Sequence, residues 1–436
     1  MKKTMQSMVK LLLCTLLFIW GNTSLSYAIA DLPEVYSESA VLIDGETGQI
    51  LYSKNEHVKY EPASTTKVMT ALVVLENKKL TDKVTIGLNP TLVDGTAIGI
   101  AEGEVYTVEE LLLGLLLESG NDTAEALAEF VAGSNEGFAV LMNEKAKSLG
   151  ALNTTFKNPS GLHEDGHLTT AYDLALIMKE ASHNEDYVRI SQVQSHKFVN
   201  HPFSDGSEKW AINRNQLFNE NTNYLYEYAY VGKNGYTPEA NHTYTAAAVK
   251  DGQMLIGAFL NATDKENFYV NIGPLFDYGF ENFETIKLIN KDDIVSNYKI
   301  NNDLEIPLMA SKDVYYTKER NNTTPSYKIN YDKNSYNGDN ITKGETVFKA
   351  TVNVNGKDIS YVDLISSEDI TLTPLSSLKE SSLFNLLKIV VYLLLIFFII
   401  IFILKTFLNY LRRRRIRKKK SRYKKYKRYK KYNRYK

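Results

Sequence analysis

The apolar run Ala40-Val41-Leu42-Ile43 and the segment Gln49-Ile50-Leu51-Tyr52 flank a polar stretch, Asp44-Gly45-Glu46-Thr47-Gly48. That pattern predicts two strands joined by a glycine-containing turn. The period then lengthens. With Pro62 just ahead, Val68, Met69, Leu72, Val73 and Leu75 predict a mostly buried helix that begins at Ser64. Thr107 and Glu110 form a capping box ahead of the leucine-rich run 111–117, and further helical patterns cover 123–131, 138–149 and 171–181. Strand character returns over 230–236, then over 243–249 and 254–260 around the Asp251-Gly252 turn. Strands at both ends of this region enclose a run of helices. The economical arrangement is an α/β (α+β) fold, one antiparallel sheet with helices packed on it, spanning 31–283.

From 284 to 375 the pattern shortens to alternating segments separated by Asn, Asp and Gly, which predicts a small all-β domain. A spacer over 376–385 leads to an apolar stretch, unbroken from Ile389 to Leu404 and extended past Lys388 and Lys405 to cover 386–411. That length suffices for a transmembrane helix. Arg412-Arg413-Arg414-Arg415 follow, and density of that kind stays cytoplasmic. At the opposite end, Lys2, Lys3 and Lys10 precede the apolar run 11–20, and Ala28-Ile29-Ala30 supplies a cleavage site, so 1–30 reads as a secretory signal peptide.

A formal net charge of zero conceals two opposite regions: all 51 acidic residues lie between Asp31 and Glu380, whereas 412–436 carries lysine and arginine with no acid. Within that tail a tyrosine recurs every third residue from Tyr423 to Tyr435, without an apolar face, so disorder is expected. Its expected partner is anionic membrane lipid; nucleic acid is not expected. The single cysteine, Cys14, falls inside the signal segment, so the mature chain relies on packing without disulfides.

Three clusters occur in order: Ser64-Thr65-Thr66-Lys67, Ser119-Gly120-Asn121 and Lys233-Asn234-Gly235. At a helix start, Ser64 and Lys67 share one face, so the lysine can take the serine proton. A lysine with its reference pKa near 10.4 is almost wholly protonated at pH 7, a cost of about 4 to 5 kcal/mol that the fold must offset. Burial and a second cation such as Lys233 lower that cost. Ser119, on a turn between buried helices, suits proton relay, and Asn121 can hold the substrate backbone or the lysine. Lys233 can pair with a substrate carboxylate, and Gly235 lets another backbone approach. An oxyanion hole can be assembled from the backbone N–H groups of Ser64 and Tyr236. Recognition of a free carboxylate implies an exopeptidase. His163 and His167, beside Glu164 and Asp165, match no standard zinc spacing, so neither metal nor cofactor is expected.

These residues resemble the low-molecular-mass penicillin-binding proteins, the D-alanyl-D-alanine carboxypeptidases. The resemblance extends through Glu61-Pro62-Ala63, Glu118-Ser119-Gly120-Asn121-Asp122, Phe156-Lys157-Asn158-Pro159-Ser160-Gly161-Leu162, His167-Leu168-Thr169-Thr170-Ala171 and Asn213-Arg214-Asn215. It implies a penicillin-binding/β-lactamase-like transpeptidase fold and a serine acyl-enzyme mechanism. Ser64 would be nucleophile, Lys67 its base, Ser119 and Asn121 the relay and positioning pair, and Lys233 the carboxylate anchor. The implied partners are peptidoglycan stem peptides ending in D-Ala-D-Ala, and β-lactams. The expected location is a bacterial cell membrane, crossed once, with the catalytic domain outside and the tail cytoplasmic.

The chain departs from the family's usual Lys-Thr-Gly at Asn234, whose amide can replace the threonine donor but is bulkier. Two other readings stay open: a catalytically weak scaffold or sensor of the wall, and a β-lactamase, which would need an E-x-x-L-N pattern that is absent between Ser119 and Lys233.

Overall fold

The structure is a computed structural model and describes residues 32–301, 304–333, 336, 340–371 and 382–432. The expected signal peptide with Cys14, and most of the expected spacer, lie outside those residues. In the first unit the strands are β1 (Ser39–Asp44), β2 (Ile50–Lys54), β3 (Lys83–Thr85), β4 (Val105–Thr107), β5 (Ser195–Lys197), β6 (Trp210–Ile212), β7 (Ala229–Thr237), β8 (Asn241–Lys250) and β9 (Gln253–Ala262). Five of them form one sheet in the order β2-β1-β9-β8-β7. Every pairing is antiparallel, with Ala40 opposite Lys54, Ser39 opposite Leu260, Ala247 opposite Ile256 and Lys233 opposite Thr245. The two ends of the region thus meet side by side.

Both faces of the sheet are covered, and so β1 is buried along its whole length. Val41 and Ile43 join the larger core, with Val68, Leu72, Leu111, Leu127 and Ile177 from the helices. Ala40 and Leu42 face the smaller core with Ile272, Leu275, Phe276 and Phe280. Those four belong to the helix Lys265–Asn282, which the hydrophobic pattern did not predict. It contains Pro274, Gly273 and Gly279, residues that read as breakers. Gly279 has a packing reason, because a Cβ there would lie 2.5 Å from Leu255 and 2.7 Å from Leu42.

The second unit comprises residues 287–314 and 325–436, while 315–324 belongs to the first. After β10 (Phe283–Ile289) come β11 (Ile294–Asn301), β12 (Leu304–Ala310), β13 (Val314–Glu319), β14 (Tyr327–Tyr331), β15 (Thr346–Val354) and β16 (Lys357–Ser366). An antiparallel sheet of order β11-β12-β16-β15-β14 buries Ile306, Leu308, Phe348, Val352 and Leu364, and the Tyr298 and Tyr331 rings pack on Phe348. The last helix, Ser382–Tyr432, contains one segment long and apolar enough to cross a membrane. Over the described part of the tail it replaces the expected disorder with helix as far as Tyr432; residues 433–436 lie outside the described residues. No glycine or proline interrupts it, and lysine and arginine are strong helix formers.

Candidate active site

Ser64 does not begin the long helix, as its spacing predicted; it sits in a 3-10 turn, Ala63–Thr66, and the α-helix Lys67–Asn77 starts at the lysine. The pair meets nonetheless. Ala63 holds a left-handed φ of 48°, and Gly161 lies so close that a Cβ there would fall 1.9 Å from the Ala63 carbonyl oxygen. Only glycine fits at that contact, which locks the turn against the loop bearing Ser160.

Lys67 is fully buried, and its Nζ donates to Ser64 Oγ at 2.9 Å, Asn121 Oδ1 at 2.7 Å and the Ser160 carbonyl at 2.6 Å. Three contacts exhaust an ammonium's donors. Two of these partners can only accept, whereas a hydroxyl can also donate. When Lys67 is neutral, its lone pair is therefore left for Ser64. Burial, and then the nearby Lys233 charge, hold the Lys67 amine well below the usual lysine range, while Asp122 opposes them. The Asp122 carboxylate is itself buried and accepts from the backbone N–H groups of Ile98, Gly99 and Ile100.

Ser119 ends a π-helical turn, Gly114–Glu118, in the left-handed region at φ 67°. Its strained backbone is of a kind concentrated at functional sites. Its Oγ accepts from Lys233 Nζ at 3.0 Å, so the second and third clusters are joined. Asn121 begins the helix Asn121–Ala132 and is committed at both ends of its amide, to Lys67 and to the Asp94 carbonyl at 2.7 Å. In the resting site it holds the lysine. Lys233 is 2% exposed and also donates to the Asn234 carbonyl; burial pushes its amine down to about 7.

On β7, the edge strand, a Cβ at Gly235 would lie 2.6 Å from the Ser64 backbone nitrogen. The missing side chain is what lets β7 pass against the turn that bears Ser64. Asn234 is half-buried beside it, and Tyr236 is exposed with its ring 4.5 Å from that of His242. The turn is tied down further by Thr243 Oγ1, which donates to the Pro62 carbonyl. His167 is buried under it: Nδ1 accepts from the Lys157 N–H, so Nε2 carries the proton and donates to Thr66 Oγ1. Burial, then Lys157 and Lys67, push this imidazole down to about 4, and it is neutral.

All eight residues singled out from the sequence thus fall in one region. Sequence reasoning missed the Ser160 and Asp94 carbonyls, since backbone acceptors leave no side-chain signal, and the Arg214–Glu118 ion pair beside Ser119.

A family model described as D-alanyl-D-alanine carboxypeptidase matches residues 27–264, and one described as the C-terminal domain of penicillin-binding protein 5 matches 283–372. The chain is 35% identical over 270 residues to the D-alanyl-D-alanine carboxypeptidase DacF of Bacillus subtilis, covering 61% of this chain and 67% of that one. It is 31% identical to DacC of Escherichia coli over 81% of this chain and 89% of that one. Among solved structures, penicillin-binding protein 5 of Haemophilus influenzae matches with a TM-score of 0.64 and 26% identity, over 79% of this chain and all of that one. A carboxypeptidase from Mycobacterium tuberculosis gives 0.54 and 33%, over 58% and 94%. With more than half its length matched by the first model and the adjoining β unit by the second, this chain belongs to the peptidase S11 family of D-alanyl-D-alanine carboxypeptidases.

Proposed function

We propose that this chain removes the terminal D-alanine from peptidoglycan stem peptides through an ester on Ser64. Ser64 Oγ attacks the carbonyl between the two D-alanines while its proton passes to Lys67. The C–N bond breaks, and the departing amine takes a proton from Lys67, relayed through the Ser119 hydroxyl. Water then hydrolyses the ester. Lys233 binds the terminal carboxylate, and the backbone N–H groups of Ser64 and Tyr236 receive the developing oxyanion. A β-lactam presents the same carbonyl and carboxylate and acylates the same oxygen.

The carrying observation is the Lys67 contact set, in which only Ser64 can reverse its hydrogen bond when the amine loses its proton. The decisive experiment supplies a pentapeptide stem to the full-length protein and measures free D-alanine. Turnover that vanishes in Ser64→Ala supports the reading. A penicillin adduct without turnover would make the chain a scaffold, and rapid penicillin hydrolysis would make it a β-lactamase.

Asn234 tests specificity separately. Its amide replaces one hydroxyl donor at the carboxylate site, a change of fit rather than of reaction class. Asn234→Thr is expected to keep penicillin acylation within about tenfold of the wild-type rate, read by intact mass. Loss of labelling would show that β7 presents this position otherwise.

The apolar helix supports attachment to a membrane. Its basic continuation after Leu411 supports a cytoplasmic tail near anionic lipid, with the catalytic unit on the outer side.

A further inference from the structure

Three side chains outside the catalytic set converge from separate segments. Glu61 precedes the 3-10 turn, His163 follows Ser160 in the 156–170 loop, and Glu239 lies in the turn between β7 and β8. One ligand atom from each lies within 4.8 Å of the others, and His163 Nδ1 is 2.9 Å from Glu61 Oε1. We propose that Glu61, His163 and Glu239 bind one divalent cation of the zinc class at the rim of the Ser64 site.

The donor set selects the metal. An imidazole nitrogen with two carboxylate oxygens suits zinc and its transition-metal neighbours, whereas magnesium and calcium prefer oxygen alone. Ligand atoms at about 2.0 to 2.1 Å from a tetrahedral zinc stand about 3.4 Å apart. Glu61 and His163, at 2.9 Å, need to open by about half an ångström, and the more distant ligand atoms to close by at most about 1.4 Å. His163 is 47% exposed and Glu239 is exposed, so both have room to turn, and solvent supplies the fourth position.

The backbone beneath them is fixed. The Pro62 carbonyl accepts from Thr65 Oγ1 at 2.6 Å and from Thr243 Oγ1 at 2.8 Å, tying the Glu61 segment to β8. Tyr60 and Thr169 exchange two backbone bonds, and Asn158 holds the turn ahead of His163 through the Gly161 N–H and the Leu162 carbonyl. In the third segment the Ala240 N–H donates to Thr237 Oγ1. Ligands on such a frame are largely preorganised. The cation would clasp three strips of chain that each reach the site within a few residues, at Ser64, at Ser160 and at Gly235. No fixed sequence spacing announces this set, because its members lie about 75 to 180 positions apart.

The test uses metal-free, tag-free full-length protein in detergent at pH 7.5, titrated with cobalt chloride. Visible d–d absorption is expected to saturate at one equivalent and to be abolished by one equivalent of zinc. His163→Ala and Glu239→Gln are each expected to weaken cobalt binding at least about tenfold. Excess zinc is expected to raise the melting temperature of the wild type and of neither variant. Both variants should melt with the wild type in chelator, which separates lost ligation from lost folding. No cobalt band below millimolar concentration, or a band unchanged in both variants, would overturn the proposal.

Discussion

Lys67→Met is expected to slow penicillin acylation about a thousandfold or more, yet to leave a protein that melts at a higher temperature than the wild type. The first half follows from chemistry: the Met thioether is far too weak a base to take the Ser64 proton, and losing a positioned base costs about two to four orders of magnitude. The second follows from burial. An amine whose folded pKa lies well below its unfolded value of about 10.4 binds fewer protons in the folded state. Its favourable contribution is complete only above the unfolded value and is lost as pH falls towards the folded one. Near neutrality the buried lysine is therefore a liability retained for function. A methionine fills the space without that penalty, though the Asn121 and Ser160 oxygens lose a donor. Intact mass after ampicillin and a thermal melt read the two halves. Ser64→Ala supplies the floor, with no adduct at all; unchanged acylation in Lys67→Met would assign the base elsewhere.

A bell-shaped pH dependence of kcat/KM for the peptide is the second large expected effect. Activity rises as Lys67 loses its proton and falls as Lys233 loses the charge that binds the carboxylate. With the Lys233 amine pushed down to about 7, the descending limb begins near pH 7. Both limbs belong to the interacting pair, since the Lys233 charge also lowers Lys67. Lys233→Arg removes the titration, because guanidinium keeps its proton throughout, so the alkaline limb should vanish even if the maximum drops. Lys233→Met should cost about a hundredfold in kcat/KM. A descending limb that persists in Lys233→Arg would remove this lysine from carboxylate binding.

Much of the site was legible because its chemistry resides in side chains that fall in short clusters. Ser64 with Lys67, Ser119 with Asn121 and Lys233 with Gly235 could each be weighed from spacing. Their connections could not. The Ser119–Lys233 bond closes a gap of 114 residues, and nothing in an alanine announces the left-handed φ that Ala63 holds where it meets Gly161. In the fold, β1 and β2 and the β7–β9 meander were visible as strand patterns. The helix Lys265–Asn282 was not, because Gly279, which makes room for Leu255 and Leu42, looks locally like a break, as do Gly273 and Pro274. At the carboxyl end, composition suggested a loose tail, but an unbroken run of helix formers extends the apolar span instead.

The pairing of Ser39 with Leu260 has a temporal consequence. A ribosome emits Ser64 early, but of the two neighbours of β1 only β2 emerges with it; the sheet cannot extend further until β9 has been made, and Lys233 arrives only shortly before that. While the polypeptide is still being made, the serine therefore has neither its anchor nor its enclosing wall. The nascent enzyme is inert by construction and becomes reactive only when the late strands close over the early ones.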